Sequence, residues 1–120
     1  MKYCRIYSDP SGETHMEDVK IELKLVDFAP PAPPLDLSAF IPASRCCFCL
    51  APVGWYGDWH PDPHRQFFLV LSGKLEIEVS DGEVRRFEAG DILLVEDTTG
   101  KGHRSRVVGE EDLIGAFVQL

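Results

Sequence analysis

The sequence predicts an all-β fold, and three observations lead to this prediction. From Gln66 onward, short apolar runs alternate with turn residues at close intervals, beginning QFFLVL, SG, KLEIEV, SDGE. Within this stretch, residues 75–80 alternate between apolar and polar side chains, which is the period of a strand with one face in water. The pair Asp81-Gly82 joins two such runs and is typical of a hairpin turn, because both residues tolerate positive φ. Many short strands in one small chain indicate a sandwich or barrel with little helix.

Size and charge narrow the class of protein. The chain has 120 residues, the size of one domain, and its 12 Lys and Arg against 20 Asp and Glu give a net charge of -8. This charge repels polyanions, so we expect neither nucleic acid nor an anionic membrane surface as a partner. No apolar run approaches the roughly 20 residues that span a bilayer, and the start MKYCRIYSDP lacks the apolar stretch of a secretory signal. These observations predict a cytoplasmic protein.

The first half of the chain predicts two strands joined by an extended connector. Residues 19–27 alternate as VKIELKLVD and predict the first strand. Five of the nine prolines fall within residues 29–42, so this segment is expected to be extended and free of helix. Residues 44–50 predict a buried strand in which three cysteines act as small apolar side chains. These cysteines have no C-x-x-C spacing, which argues against a structural zinc site. Residues 53–58 predict a turn.

The second half predicts a series of strands with short connections. The apolar runs QFFLVL, KLEIEV, VRRF and ILLVED are each followed by turn residues. The two arginines of VRRF are expected to pair with the two glutamates of KLEIEV across the Asp81-Gly82 hairpin. Residues 105–108 and 113–119 predict two final strands around the acidic turn GEED.

Histidines supply the candidate functional residues. His60 and His64 lie in DWHPDPHRQFF, just before the most apolar strand, and His103 follows the turn TTGKG. If residues 60–66 are extended, four polar side chains share one inward face that Phe68 continues, namely His60, Asp62, His64 and Gln66. The prolines between them are typical of a barrel mouth or a sheet edge, where ligand sites lie.

Two histidines have alternative interpretations. His64 faces the pocket only if the adjacent prolines leave the strand untwisted, and otherwise it is a solvated residue beside Arg65. His15 lies in the polar stretch SGETHMED, which is predicted as a loop, and is interpreted as a surface or capping residue. The alternative is that an N-terminal strand folds His15 over the barrel. The basic run KGHRSR flanks His103 and is either a solvated turn or a source of positive potential for an anionic ligand.

Two motifs in this order resemble those of the cupin family of small β-barrels. The first family motif contains a glycine, a histidine pair, a glutamate and a closing glycine. Residues of this chain fall at corresponding places: Gly54 or Gly57, His60, Gln66 and Gly73. The second motif begins with Gly-Asp before an apolar strand and ends with a histidine, as do Gly90-Asp91, residues 92–95 and His103.

The resemblance covers residues 54–107 and implies one cupin-type jelly-roll β-barrel. In this division, residues 1–53 hold the N-terminal strands and the proline-rich connector, residues 54–107 form the two-motif core, and residues 108–120 form the last strand. The resemblance also implies a homodimer, since small cupins commonly pair their sheets and unpaired sheet edges need cover.

The resemblance also implies a metal site, but two of its ligand positions differ from the family's pattern. The family's usual ligands are three histidines and a glutamate, whereas this chain has Asp62 at the second histidine and Gln66 at the glutamate. The candidate metal ligands are His60, His64, Gln66 and His103, with Asp62 as the alternative to His64. Histidine and carboxylate ligands suit a divalent transition metal such as iron, zinc, nickel or manganese. Whether a metal is bound stays open, because a glutamine oxygen is a weaker ligand than a carboxylate.

Two functions are compatible with this sequence. The first is a small metal-dependent enzyme that acts on a small organic acid or carbonyl compound, with Asp62 or His64 as the catalytic base. Its substrate pocket would include Trp59, Phe68 and Arg104. The alternative is a non-catalytic cupin that binds a small molecule and has lost part of its metal site. No P-loop, GxGxxG or Ser-His-Asp pattern supports phosphoryl transfer, dinucleotide binding or acyl transfer.

Overall fold

The computed structural model describes residues 1–120 and confirms the all-β prediction, with twelve strands and no helix. The strands are β1 (Lys2–Ser8), β2 (Thr14–Lys20), β3 (Lys24–Val26), β4 (Leu35–Leu37), β5 (Arg45–Ala51), β6 (Tyr56–His60), β7 (Gln66–Ser72), β8 (Lys74–Val79), β9 (Val84–Glu88), β10 (Ile92–Val95), β11 (His103–Val108) and β12 (Leu113–Gln119). The chain has no long apolar helix of the kind that crosses a membrane.

Ten of the strands form two sheets around one apolar core. The six-stranded sheet has the order β2-β1-β10-β7-β12-β5, and the four-stranded sheet has the order β6-β11-β8-β9. Only β1 and β10 pair in parallel. The core takes side chains from both sheets, and its best-buried members, at most 2% exposed, are Ile6, Val70, Val79 and Leu93. The result is a double-sheet barrel whose interior lies between the two sheets.

Ion pairs across the β8–β9 hairpin follow its register. Arg86 lies opposite Glu76, and the expected pair forms with 2.8 Å between Nε and Oε2. The prediction that Arg85 pairs with Glu78 is wrong, because the register places Arg85 opposite an apolar residue of β8. Arg85 donates to Asp18 of β2 instead, at 2.9 Å. Exposed pairs of this kind stabilise the fold by about 0.2–1 kcal/mol each.

The N-terminal predictions need two corrections. Residues 19–27 are not one strand, since β2 ends at Lys20 and β3 begins at Lys24. His15 lies in a strand and not in a loop, because β2 pairs with β1 along its whole length. The polar sequence of β2 is explained by its position at the edge of the six-stranded sheet, where one side faces water. His15 lies between two carboxylates, 2.7 Å from Asp9 and 2.8 Å from Asp81.

Cysteine burial in β5 is also corrected. Cys46 and Cys47 are exposed and Cys49 is half-buried, because β5 is an edge strand that pairs only with β12. Cys47 and Cys49 do share a face, as strand alternation predicts, and both line the barrel interior. The turn predicted at residues 53–58 is shorter than expected, since β6 already begins at Tyr56.

Proline-rich residues 29–42 form no helix, as predicted, but they contain β4. This strand pairs with β3 to form a two-stranded sheet separate from the other two. We call residues 21–44, which include this sheet, the arm.

Candidate ligand-binding site

A cavity of about 460 Å³ opens into the barrel between the two sheets. Its walls are mostly apolar, from side chains such as Phe68, Ile77, Leu93 and Leu113. Six polar side chains also line it, namely His60, Asp62, Gln66, His103, Ser105 and Gln119. A cavity of this size with few polar groups is typical of a site for a small molecule.

His60 and His103 meet at the polar end of the cavity. His60 is the last residue of β6 and His103 the first residue of β11, and the two are register partners in neighbouring strands. Their ring centroids are 4.9 Å apart. Gly102 allows this close approach, because it has a φ of 72° and a Cβ there would lie 2.1 Å from the His60 carbonyl oxygen. The sequence prediction that both histidines line one pocket agrees with this geometry.

A buried carboxylate fixes the orientation of the His103 ring. Asp97 follows β10 and is fully buried, and its Oδ2 lies 2.6 Å from Nδ1 of His103. An ionised carboxylate can only accept a hydrogen bond, so Nδ1 of His103 is the donor. In the neutral ring the proton is therefore on Nδ1, and Nε2 carries a lone pair. The second oxygen of Asp97, Oδ1, is buried without a hydrogen-bond partner.

A hydrogen bond also fixes the His60 ring so that its proton is on Nδ1. Its Nδ1 lies 2.6 Å from the backbone carbonyl oxygen of Asp58, which can only accept, so Nδ1 again carries the proton. Neither Nε2 atom has a hydrogen-bond partner within the protein. The pair therefore offers two nitrogen lone pairs at the polar end of the cavity.

Three side chains form a second polar group beside the histidines. Nε2 of Gln66 donates to Oδ1 of Asp62 at 2.8 Å, and Nε2 of Gln119 donates to Oε1 of Gln66 at 3.3 Å. The backbone N–H of Asp62 donates to the Asp97 carbonyl at 2.9 Å, which ties this group to the histidine pair. Burial raises the pKa of the Asp62 carboxyl, and the hydrogen bond from Gln66 opposes that rise.

The structure does not bring His64 to the cavity. Residues 61–65 lie between β6 and β7 and are not an extended strand, so the single-face arrangement predicted for residues 60–66 does not form. Asp62 and Gln66 are buried, whereas the His64 side chain is exposed to solvent. The solvated alternative for His64 is therefore the one that the structure supports.

Predicted pocket residues divide between two surfaces. Phe68 lines the cavity and packs against Phe117, with ring centroids 4.7 Å apart. Trp59 and Arg104 lie outside the cavity lining, with the Arg104 guanidinium 5.1 Å from the Trp59 ring centroid and 2.7 Å from a carboxylate oxygen of Glu78. The basic run around His103 is neutralised by acidic partners, so it does not supply free positive charge to the cavity.

The site lacks a third metal ligand. No group of three or more His, Cys, Asp or Glu side chains is placed to hold a metal ion. Gln66 is hydrogen-bonded at both ends of its amide, by Asp62 and by Gln119, and its neutral oxygen is a weaker metal ligand than a carboxylate. The side chains present therefore do not fit the ligand set expected for a resident transition metal.

Three site residues were not predicted from the sequence. The local sequence VEDTTG predicts that Asp97 is a turn residue, and no local pattern indicates that its side chain contacts His103. Ser105 lies two residues after His103 on β11, so strand alternation places both on the cavity face. Gln119 ends β12, opposite Gln66 in the register, and only the strand order reveals this pairing.

The double-sheet barrel and the histidine pair at its open end define a cupin-type fold, and the comparisons with known proteins agree. The chain belongs to the cupin family, since the family described as Cupin domain matches residues 47–118, more than half of its length. The prediction from the two motifs is confirmed.

A solved cupin domain shows the same fold at low sequence identity. The cupin domain of Cnp3 from Schizosaccharomyces pombe is 15% identical, with a TM-score of 0.50, over 89% of this chain and 73% of that chain. Protein NMB1881 from Neisseria meningitidis is 18% identical, with a TM-score of 0.46, over 67% of this chain and 78% of that chain. No curated protein sequence matches the chain.

Proposed function

We propose that this cupin binds a small organic acid or carbonyl compound in the barrel cavity. The observation that carries the proposal is the His103–Asp97 pair at the polar end of a mostly apolar cavity. A buried carboxylate below one ring nitrogen leaves the other nitrogen facing the ligand. The apolar walls would surround the ligand's carbon skeleton, while His60 and His103 bind its oxygen.

An acid would bind together with a proton. Both Nε2 atoms are acceptors in the neutral rings, so a carboxylate needs a proton on at least one of them. His103 is the better site for it, because the Asp97 carboxylate balances the positive charge of the imidazolium. An imidazolium between Asp97 and the ligand carboxylate would make a charge-assisted hydrogen bond to each. An acid that binds to the protein with neutral rings should therefore take up a proton.

Titration calorimetry tests this arrangement. We expect monocarboxylates and 2-oxo acids of two to eight carbons to include ligands whose binding enthalpy changes with the ionisation enthalpy of the buffer. The sign of the slope should correspond to uptake of protons on binding. His103→Ala should weaken the best acid about 10- to 100-fold, since a hydrogen bond to a charged group contributes about 1.5–3 kcal/mol.

His64→Ala is the matched control. His64 is close in sequence but exposed and outside the cavity, so this variant should bind as the wild type does. Asp97→Asn separates the two ligand classes, because it removes the counter-charge but keeps an oxygen that can accept from Nδ1. It should weaken acids about tenfold and neutral carbonyl compounds far less. No binding by any member of the panel, or equal losses in the His64 and His103 variants, would contradict the proposal.

A metal-dependent enzyme is the second candidate function. It is favoured by the two imidazoles in contact, each with a free Nε2, although the structure supplies no third ligand. Elemental analysis of protein purified without chelator separates the two candidates. About one equivalent of iron, zinc, nickel or manganese, lost in His60→Ala, would favour the enzyme, whereas metal-free protein that binds an acid would favour the binding protein.

We also propose a cytoplasmic location. All four cysteines are free thiols, two of them exposed, and reducing compartments keep such thiols free. Localisation of a tagged full-length chain by microscopy tests this, and a secreted or surface location would contradict it.

A further inference from the structure

Two free thiols lie on the cavity side of β5. Cys47 and Cys49 are two residues apart in this strand, so strand alternation places their side chains on one face, and both line the cavity. Cys46 precedes Cys47 in the sequence but lies on the opposite face and does not line the cavity. Cys47 is exposed to solvent and Cys49 is half-buried, so a ligand can reach both sulfur atoms from the unpaired edge of β5.

Neither of these two sulfur atoms has a polar partner within the protein. The hydrogen bonds that involve a thiol in this chain all belong to Cys4. The neighbouring strand β12 offers no polar side chain at these positions, because Phe117 lies opposite Cys47 in the register and Gly115 lies opposite Cys49. The two thiols therefore take no part in the hydrogen bonding of the fold and are free to bind a ligand.

The spacing of the two thiols suits a bridging ion and not a disulfide. A strand rises about 3.3 Å per residue, so the Cβ atoms of residues 47 and 49, on the same face, are about 6.6 Å apart. A disulfide needs Cβ atoms about 3.5–4.5 Å apart. One metal ion with two thiolate bonds of about 2.3 Å in line spans about 4.6 Å between the sulfur atoms. Rotation of the two side chains about χ1 brings the sulfur atoms to this distance without movement of the backbone.

The two thiols select a soft cation that accepts two ligands. Among biological metals, thiolate ligands favour Cu(I) and zinc. Zinc in proteins almost always has four ligands in a structural site, whereas no group of three or more metal-binding side chains occurs in this chain. Cu(I) forms linear complexes with two thiolates and needs no third ligand. Burial raises the pKa of the Cys49 thiol, and the charge of Cys47 raises it further, so a cation between the two sulfur atoms would relieve their mutual repulsion.

We propose that Cys47 and Cys49 form a dithiolate site for one Cu(I) ion at the edge of the cavity. On binding, each thiol releases its proton to solvent and forms one sulfur–copper bond, and neither sulfur nor copper changes its oxidation state. Because Cys47 is exposed, a competing thiol in solution can reach the ion, so the site is suited to exchange of copper. The proposal depends neither on the acid that the cavity binds nor on a metal held by His60 and His103.

Anaerobic titration of the full chain with Cu(I), in competition with the chromogenic chelator bicinchoninate, tests the proposal. We expect the wild type to bind about one equivalent of Cu(I), and X-ray absorption of the complex to show two sulfur neighbours. Cys47→Ser and Cys49→Ser should each weaken binding more than about 100-fold, because loss of a ligand costs more than the roughly 10- to 100-fold loss of a group that only orients one. Serine is close to cysteine in size, so circular dichroism should show the same strand signal for both variants.

Cys46→Ser is the matched control, since Cys46 is an exposed thiol of the same strand on the opposite face. This variant should bind Cu(I) as tightly as the wild type, and so should His103→Ala, because the imidazole pair is not part of the dithiolate site. A wild type that binds no Cu(I) overturns the proposal. So does an equal loss of affinity in Cys46→Ser, which would place the ion on the other face of β5. A loss in His103→Ala also overturns it, because the ion would then lie at the imidazole pair.

Discussion

Substitution of Gly102 by alanine should damage both the fold and the candidate site. Gly102 has a φ of 72°, in the region that side chains disfavour, and its Cβ would lie 2.1 Å from the His60 carbonyl oxygen and 2.4 Å from the Pro61 nitrogen. The conformation costs about 1–2 kcal/mol for a residue with a Cβ, and the overlap with backbone adds about 1–3 kcal/mol. The expected loss is therefore about 2–5 kcal/mol in the free energy of unfolding. Since these atoms belong to the peptide bond between His60 and Pro61, relief of the overlap must shift His60 relative to His103.

Gly54→Ala is the control that isolates this overlap. Gly54 has a similar φ of 81°, but nothing lies within 4 Å of the position of its Cβ. It should lose only the conformational part, about 1–2 kcal/mol. At about 4 °C per kcal/mol for a chain of this size, calorimetry should find Tm lowered by about 8–20 °C for Gly102→Ala and about 4–8 °C for Gly54→Ala. Acid binding should fall more than tenfold only in the Gly102 variant. Equal Tm losses, or full binding by Gly102→Ala, would refute the claim that this glycine holds the two histidines together.

Two further predictions concern titrating side chains. Burial raises the pKa of the Asp62 carboxyl, so the contribution of Asp62 to stability falls as pH rises through its folded-state pKa. Asp62→Asn can still accept a hydrogen bond from Gln66 and should therefore raise Tm at pH 7.5. The gain in Tm should vanish near pH 4, the usual pKa of an aspartate in the unfolded chain. A lower Tm for this variant at pH 7.5 would contradict the reasoning. The hydrogen bond to Asp9, followed by the one to Asp81, makes the largest contribution to raising the pKa of His15. The stabilisation of the fold by His15 is therefore complete below about pH 6.5 and is lost as pH rises through the folded-state pKa. The stability difference between wild type and His15→Gln should thus shrink from pH 6 to pH 9 in urea unfolding, and a difference that stays constant would rule the interaction out.

The fold was predicted best where local signals are strong. The hairpin at Asp81-Gly82 and the strand at residues 113–119 are as expected, because turn chemistry and alternation fix them within a few residues. The N-terminal third was predicted poorly. β2 is polar because it lies at a sheet edge, and edge position depends on the strand order, which local sequence does not reveal. The exposure of Cys47 has the same cause, since β5 is the other edge.

Part of the candidate site was accessible from sequence, and part was not. His60 and His103 stand in two motifs that resemble those of the cupin family, and this resemblance implied that they meet in one cavity. Asp97 could not, because its carboxylate reaches His103 only through the path of the chain after β10. The alternation pattern of the sequence also failed to predict the position of His64. Extended alternation places it inward, but the chain turns between β6 and β7 and sends it into solvent.

Imidazole nitrogen chemical shifts provide the most direct test of the proposed ligand site. Long-range 1H–15N NMR distinguishes a protonated ring nitrogen from one that carries a lone pair, and so reports the tautomer of each histidine. In the neutral rings of the free protein we expect His103 and His60 to carry their protons on Nδ1. Titration with the best acid should move the Nε2 signal of His103 toward the protonated value, while the signals of His64 stay unchanged. Saturation with a bound acid that leaves the His103 and His60 signals where they were would contradict the account.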